Sequence, residues 1–113
     1  MRRIFLKIAT ASIFTCFATL ALPFCLGAQT DAAKVYKTNC ALCHAADGSG
    51  ETASGKSLKA KDLRSPEVQG KSDEELAEVI AKGARKMPAF GKKLSPDGIK
   101  SLVAYIRALP KKK

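Results

Sequence analysis

The chain has 113 residues, with 20 basic and 10 acidic side chains and a formal net charge of +10 at pH 7. The first 28 residues have the character of an export leader, which leaves about 85 residues for one small domain. That domain contains no Trp and only three aromatic side chains. A domain of this size and composition usually needs a cofactor, a metal or a covalent cross-link to stabilise its core. These counts argue against a multidomain enzyme, a nucleotide-binding sheet and a disulfide-rich scaffold.

Residues 1–28 have the three-part layout of a secretory signal peptide. Basic residues come first, an uncharged stretch over residues 8–28 follows, and small residues end it at Ala28. We expect cleavage near Ala28, which leaves the domain over residues 29–113. The alternative is an uncleaved membrane anchor, because a helix over residues 8–28 would extend about 31 Å. In either case the basic start stays in the cytoplasm and the domain is exported to the periplasm.

The first two predicted helices of the domain have clear starting signals. The first runs over residues 30–37, with Thr30 as its N-cap. The second begins at the capping box of residues 72–75 and ends at Gly83. Both therefore follow from local hydrogen-bonding preferences.

The third predicted helix carries an apolar stripe, starts at Ser95 and is closed by Pro110. Residues 45–70 are rich in Gly, Ser and Lys, and they predict a long wrapping loop with a single helical turn near Pro66. No segment alternates between apolar and polar residues as a strand does. The predicted fold class is therefore all-α.

The run Cys40-Ala41-Leu42-Cys43-His44 is the attachment pattern of a c-type haem. On a helical turn, residues i and i+3 share a face, so Cys40 and Cys43 can bond the two vinyl groups along one porphyrin edge. His44 follows directly and can reach the iron. A disulfide would leave His44 unexplained, a zinc site would lack a fourth ligand, and a thioredoxin-like pair would lack its βαβ surroundings. The sequence therefore predicts one covalently bound haem c.

Met87 is the predicted second axial ligand of the iron. His44 is the only histidine, so two histidines of one monomer cannot ligate the iron. Met87 is the only methionine besides the initiator, and it lies in a polar loop where Pro88 restricts the preceding backbone. The alternative is that Met87 fills a gap in the core, which is the usual place of a lone methionine.

With these motifs, the chain resembles a class I monohaem cytochrome c of the small bacterial exported type. The resemblance covers nearly all of residues 30–110 and rests on the Cys40–His44 motif, on Lys86-Met87-Pro88-Ala89-Phe90 and on Leu102-Val103-Ala104-Tyr105-Ile106. It implies a cytochrome c-like fold of three to four short helices wrapped around one covalently bound haem. Six apolar residues are candidates for lining the ring, and for each of them the alternative is ordinary helix packing away from the haem: Leu58, Leu63, Leu76, Ile80, Phe90 and Leu94.

The resemblance also implies two contacts within the fold. The first and last helices should cross, with Ala32 and Tyr36 against Leu102 and Tyr105. A backbone carbonyl, often next to a proline, should orient the histidine through its other ring nitrogen. Residues 45–65 contain no proline, so the sequence does not identify that carbonyl.

The function implied by the resemblance is one-electron transfer between redox proteins in the periplasm, rather than catalysis. Basic residues crowd around Met87, so we expect partners with acidic docking patches; the alternative is a merely solvated surface. These basic residues are Lys82, Arg85, Lys86, Lys92 and Lys93. We expect a monomer with no nucleic-acid partner, and a membrane contact only if the leader stays uncleaved.

Two other functions remain open at this point. In a haem sensor or peroxidase-like enzyme, Met87 would dissociate and the iron would bind a gas or peroxide. In a larger oxidoreductase, the chain would serve as a tethered haem subunit. The absence of any histidine beyond His44 argues against peroxide cleavage, and retention of the leader would mark the tethered subunit.

Overall fold

The structure is a computed structural model that describes residues 26–112, and within this range it contains six helices and no strand. The all-α class is confirmed. The leader predicted over residues 1–28 lies outside the described residues, apart from its last three positions. The helices are α1 (Leu26–Asn39), α2 (Ala41–His44), α3 (Ala53–Leu58), α4 (Pro66–Gln69), α5 (Asp73–Lys82) and α6 (Pro96–Arg107).

Two helices begin where the sequence predicts. The Ser72 hydroxyl accepts a hydrogen bond from the Glu75 amide, and the Glu75 carboxylate accepts one from the Ser72 amide, which completes the capping box of α5. Gly83 directly follows α5 with a φ of 76°, a conformation that favours glycine. At the start of α6, the Ser95 hydroxyl accepts from the Gly98 amide. These caps satisfy amides that have no partner inside the helix.

Replacing Ser72 with Ala tests the capping box. The variant removes the hydroxyl that accepts from the Glu75 amide, so we expect the free energy of unfolding to fall by about 1 kcal/mol in denaturant titrations. Ser57→Ala, at an exposed position within α3, makes the same chemical change away from the box and should cost less than about 0.5 kcal/mol. Equal losses in the two variants would contradict the predicted role of the cap.

The structure corrects the start of α1. The helix begins at Leu26, so Thr30 lies within it and is not the N-cap. Ala28 and Gln29 both favour helix, and this preference outweighs the capping tendency of Thr30. The cleavage site predicted near Ala28 lies in the first turn of this helix, and cleavage itself stays a prediction.

The segment predicted as a long loop contains the additional helix α3. Thr52 is its N-cap and accepts from the Gly55 amide. The sequence of α3 has only one large apolar residue, Leu58, so no helical periodicity reveals it. The single turn expected near Pro66 is confirmed as α4. Together with α2, this extra helix raises the number of helices from the predicted three or four to six.

The contact between the first and last helices is confirmed. The helices α1 and α6 pack against each other. Tyr36 of α1 and Leu102 of α6 are each only 1% exposed, and the small Ala32 of α1 is buried as well. The rings of Tyr36 and Tyr105 pack with centroids 4.9 Å apart. We call the buried apolar group around this crossing the core cluster. It consists of Tyr36, Val68, Leu76, Ile80, Phe90, Ile99, Leu102, Val103 and Ile106.

Within residues 26–112, every helix falls short of the length and apolar character that spanning a bilayer requires. The anchor that the sequence allows over residues 8–28 lies outside the described part of the chain, except for residues 26–28.

Candidate functional site

The Cys-Ala-Leu-Cys-His motif folds as α2, immediately after α1. The amides of Cys43 and His44 donate to the Cys40 carbonyl at 3.1 and 2.9 Å, so the two cysteines are one helical turn apart. Neither thiol is in a disulfide. Burial, and secondarily the charge of Cys43, raises the pKa of Cys40 to about 11, so this thiol is protonated at neutral pH.

The ring of His44 is held by a single well-defined hydrogen bond. His44 is buried, and its Nδ1–H donates to the backbone carbonyl of Lys61 at 3.0 Å. A carbonyl only accepts, so Nδ1 carries the proton and the lone pair of Nε2 is free to bind a metal. Burial lowers the pKa of His44, although the bond to Lys61 opposes this effect, so the imidazole stays neutral at pH 7. Lys61 therefore supplies the orienting carbonyl that the sequence does not identify.

The backbone on either side of His44 is also tied to other segments. Its own carbonyl accepts from the Gly50 amide at 2.8 Å. The next carbonyl, of Ala45, accepts from the buried Tyr36 hydroxyl at 2.8 Å, which links α2 to α1. Contacts from α1 and from the segment after α2 therefore hold the histidine in place.

Met87 lies in a tight turn between α5 and α6. Its amide donates to the Ala84 carbonyl at 2.9 Å, and the Ala84 amide donates back at 3.2 Å. A Cβ atom on Gly83 would lie 2.6 Å from the Met87 carbonyl, so this approach requires glycine. Beyond the turn, the Phe90 amide donates to the Ile80 carbonyl at 2.9 Å and returns the chain to α5.

The core cluster connects the two parts of the predicted site. Cys40 and Met87 are both partly buried and both pack against it, although they are distant in the sequence. Of the residues predicted to line the haem, Leu76, Ile80 and Phe90 belong to the core cluster, and Leu63 and Leu94 pack against it. Leu58 differs from them, since it is 40% exposed at the end of α3.

The five basic side chains around Met87 are all exposed. Lys82 forms an ion pair with Glu78 one turn earlier, and Lys93 lies 6.0 Å from the centroid of the Phe90 ring. The positive charge predicted for this surface is therefore exposed to solvent, where dissolved salt screens its interactions with other charges.

The residues present fit a haem c. Two free thiols lie one turn apart, and a neutral, buried imidazole follows with Nε2 available. In the part of the chain with described side chains, no group of three or more His, Cys, Asp or Glu residues could hold a bare metal ion. Cys40, Cys43 and His44 would hold the haem, and Met87 is the candidate for the second axial position.

The sequence does not predict the roles of three residues in this site. Lys61 acts through a backbone carbonyl, which every residue possesses, so no residue type marks it. Thr52 and Gly55 contact α2, and only the hydroxyl of Thr52 offers a weak N-cap signal.

The sequence matches the family described as cytochrome c oxidase, cbb3-type, subunit III over residues 27–106. It is 36% identical over 83 residues to cytochrome c6 of Microcystis aeruginosa, covering 73% of this chain and 98% of that protein. It is 33% identical over 107 residues to cytochrome c6 of Nostoc sp. strain PCC 7120, covering 94% of this chain and 92% of that protein.

Solved structures show the same similarity. The KustC0563 c-type cytochrome superposes with a TM-score of 0.66 at 36% identity, covering 72% of this chain and 99% of that chain. Cytochrome c6C from Synechococcus sp. PCC 7002 superposes with a TM-score of 0.54 at 26% identity, covering 68% and 90% of the two chains. Both similarities extend over most of the described residues.

Proposed function

The chain belongs to the class I cytochrome c family as a small member with one covalently bound haem c, and on that premise we propose that His44 and Met87 are the axial ligands of a periplasmic electron carrier. The protein is an electron carrier and not an enzyme. In this proposal Cys40 and Cys43 hold the haem by thioether bonds. When bound, the haem supplies a reversible one-electron Fe(II)/Fe(III) couple.

The observation that carries the proposal is the bond from His44 Nδ1–H to the Lys61 carbonyl. It selects the tautomer with a free Nε2, limits rotation of the ring and increases the basicity of the ligand. Burial of the imidazole also keeps it neutral and limits its contact with water. The tautomer, the orientation and the neutral state of His44 therefore all favour stable binding of its Nε2 to the haem iron.

Support for Met87 comes from its packing and from the rigidity of its turn. The side chain packs against the core cluster, as Cys40 does, and paired hydrogen bonds with Ala84 hold its backbone. A thioether favours the reduced ion, so a His/Met pair raises the reduction potential. With both axial positions taken by protein, the site would transfer electrons without binding a substrate at the iron.

Optical spectroscopy of the purified protein, oxidised and reduced, tests this ligand set. We expect sharp low-spin reduced bands that carbon monoxide does not change, and a weak near-infrared band of sulfur-to-iron charge transfer in the oxidised protein. High-spin iron that binds carbon monoxide would instead support the sensor or peroxidase-like alternative and leave Met87 as a packing residue.

We further propose that the basic surface around Met87 steers the protein toward acidic partners. The double variant Lys86→Glu/Lys92→Glu should reduce anionic ferricyanide roughly threefold more slowly at low salt, with most of the difference lost in strong salt. Stopped-flow mixing measures these rates. Lys100→Glu/Lys111→Glu changes the same charge at exposed positions on and after α6 and serves as the control. Rates that do not change with salt, or equal losses in both variants, would contradict steering.

Cleavage of the leader forms part of the periplasmic proposal. The intact mass of the protein recovered from the exported fraction should equal residues 29–113 plus one haem. A mass that retains residues 1–28 would instead favour a tethered haem subunit of a larger oxidoreductase. We expect the cleaved protein to be monomeric in solution.

A further inference from the structure

The helix α2 is too short to satisfy its own carbonyl groups. A helix leaves its last four carbonyls without internal partners, and α2 has only four residues. The Cys40 and Ala41 carbonyls accept from the amides of His44 and Ala45. The Leu42 carbonyl accepts from a side chain, the Thr52 hydroxyl, at 2.7 Å. The Cys43 carbonyl lies 3.3 Å from the same hydroxyl oxygen.

Thr52 has a second partner in α3. Its hydroxyl oxygen accepts from the Gly55 amide at 2.8 Å as the N-cap of that helix. One hydroxyl therefore donates to α2 and accepts from α3, and it couples the two helices. The helices are also in direct backbone contact, because a Cβ atom on Gly55 would lie only 2.2 Å from the Cys43 carbonyl.

Thr52 belongs to the same segment of the chain as two residues that contact His44. Gly50 donates to the His44 carbonyl, and Lys61 accepts from the His44 ring. Thr52 lies between these two residues in the sequence, in the same segment. A shift of the segment at Thr52 would therefore disturb both contacts of His44 at once.

We propose that Thr52 is a positioning residue for the haem-attachment helix. Its hydroxyl sets the position of the Leu42 and Cys43 carbonyls against α3, and this keeps the His44 ring aligned with the Lys61 carbonyl. The inference rests on the proposed attachment of the haem at Cys40 and Cys43, next to which Thr52 acts. The hydroxyl group, rather than the methyl group of Thr52, carries this role.

Hydrogen exchange in the reduced holoprotein tests the proposal. Thr52→Val removes the hydroxyl at nearly constant shape, and Thr52→Ser retains it. We expect NMR to show roughly tenfold faster exchange of the His44 Nδ1 proton and the Ala45 amide in the valine variant. The serine variant should stay within about twofold of the unmodified protein. Ser95→Ala removes the N-cap of α6, and it should leave exchange at His44 unchanged.

Two results would overturn the proposal. One is a valine variant that affects His44 no more than Ser95→Ala does. The other is a serine variant as disturbed as the valine variant, because the methyl group would then be responsible.

If the valine variant does not accumulate with haem, a measurement on the unmodified protein tests the role of Thr52. Its Thr52 hydroxyl proton should be resolved, exchange slowly and lie close to α2, and a freely exchanging hydroxyl would overturn the inference. Mass analysis of haem-bearing peptides tests attachment at Cys40 and Cys43 separately, so failure of the proposed function is distinguishable from failure of the role of Thr52.

Discussion

Replacing Gly55 with Ala is expected to destabilise the protein by about 3 kcal/mol or more and to lower sharply the yield of haem-loaded protein. The new Cβ atom would lie 2.2 Å from the Cys43 carbonyl oxygen and 2.3 Å from the Gly50 carbonyl oxygen. Both are backbone atoms, so no flexible side chain can move aside. Either α3 moves away from α2, or the attachment helix is displaced with its histidine.

Gly98→Ala is the matched control for this variant. Gly98 lies in the first turn of α6, where a Cβ atom would be 3.3 Å from the Ser95 hydroxyl oxygen, the end of a short side chain. The change should be neutral or stabilising by less than about 1 kcal/mol, because alanine favours helix over glycine. Denaturant unfolding with haem quantification compares the two. A Gly55→Ala protein as stable as Gly98→Ala would show that α2 and α3 do not approach as closely as described.

Replacing Met87 with Ala is expected to leave the haem attached while opening one axial position of the iron. Attachment should persist because Cys40 and Cys43 are unchanged. The near-infrared sulfur band should disappear, carbon monoxide should bind the reduced protein, and the reduction potential should fall on the order of 100 mV. Optical titration with carbon monoxide and spectroelectrochemistry measure these changes.

Met87→Leu separates ligation from packing. Leucine retains an apolar side chain against the core cluster but offers no sulfur. The Met87→Leu protein should therefore bind carbon monoxide as the alanine variant does, and its free energy of unfolding should fall less. A Met87→Ala protein that stays six-coordinate with an unchanged spectrum would show that another group is the axial ligand. Met87 would then be a packing residue.

Much of the fold could be predicted because its signals are local. Ser72 and Glu75 are three residues apart and form their capping box without help from the rest of the chain. The spacing of Cys40, Cys43 and His44 likewise acts within one turn, and α2 forms there. Local signals were insufficient at Thr30, where the helix preference of the preceding residues extends α1 to Leu26. They were also insufficient in α3, whose residues show no apolar periodicity.

The sequence alone is enough to predict an exported all-α domain, its haem-attachment motif and Met87 as the candidate second ligand, since these depend on residue type and spacing. The contacts around His44 depend on tertiary structure. Every residue has a backbone carbonyl, and only the path of the chain brings that of Lys61 to Nδ1. The same path places Thr52 and Gly55 against α2. Packing of the whole domain brings these segments together, so the residue types alone do not predict the contacts.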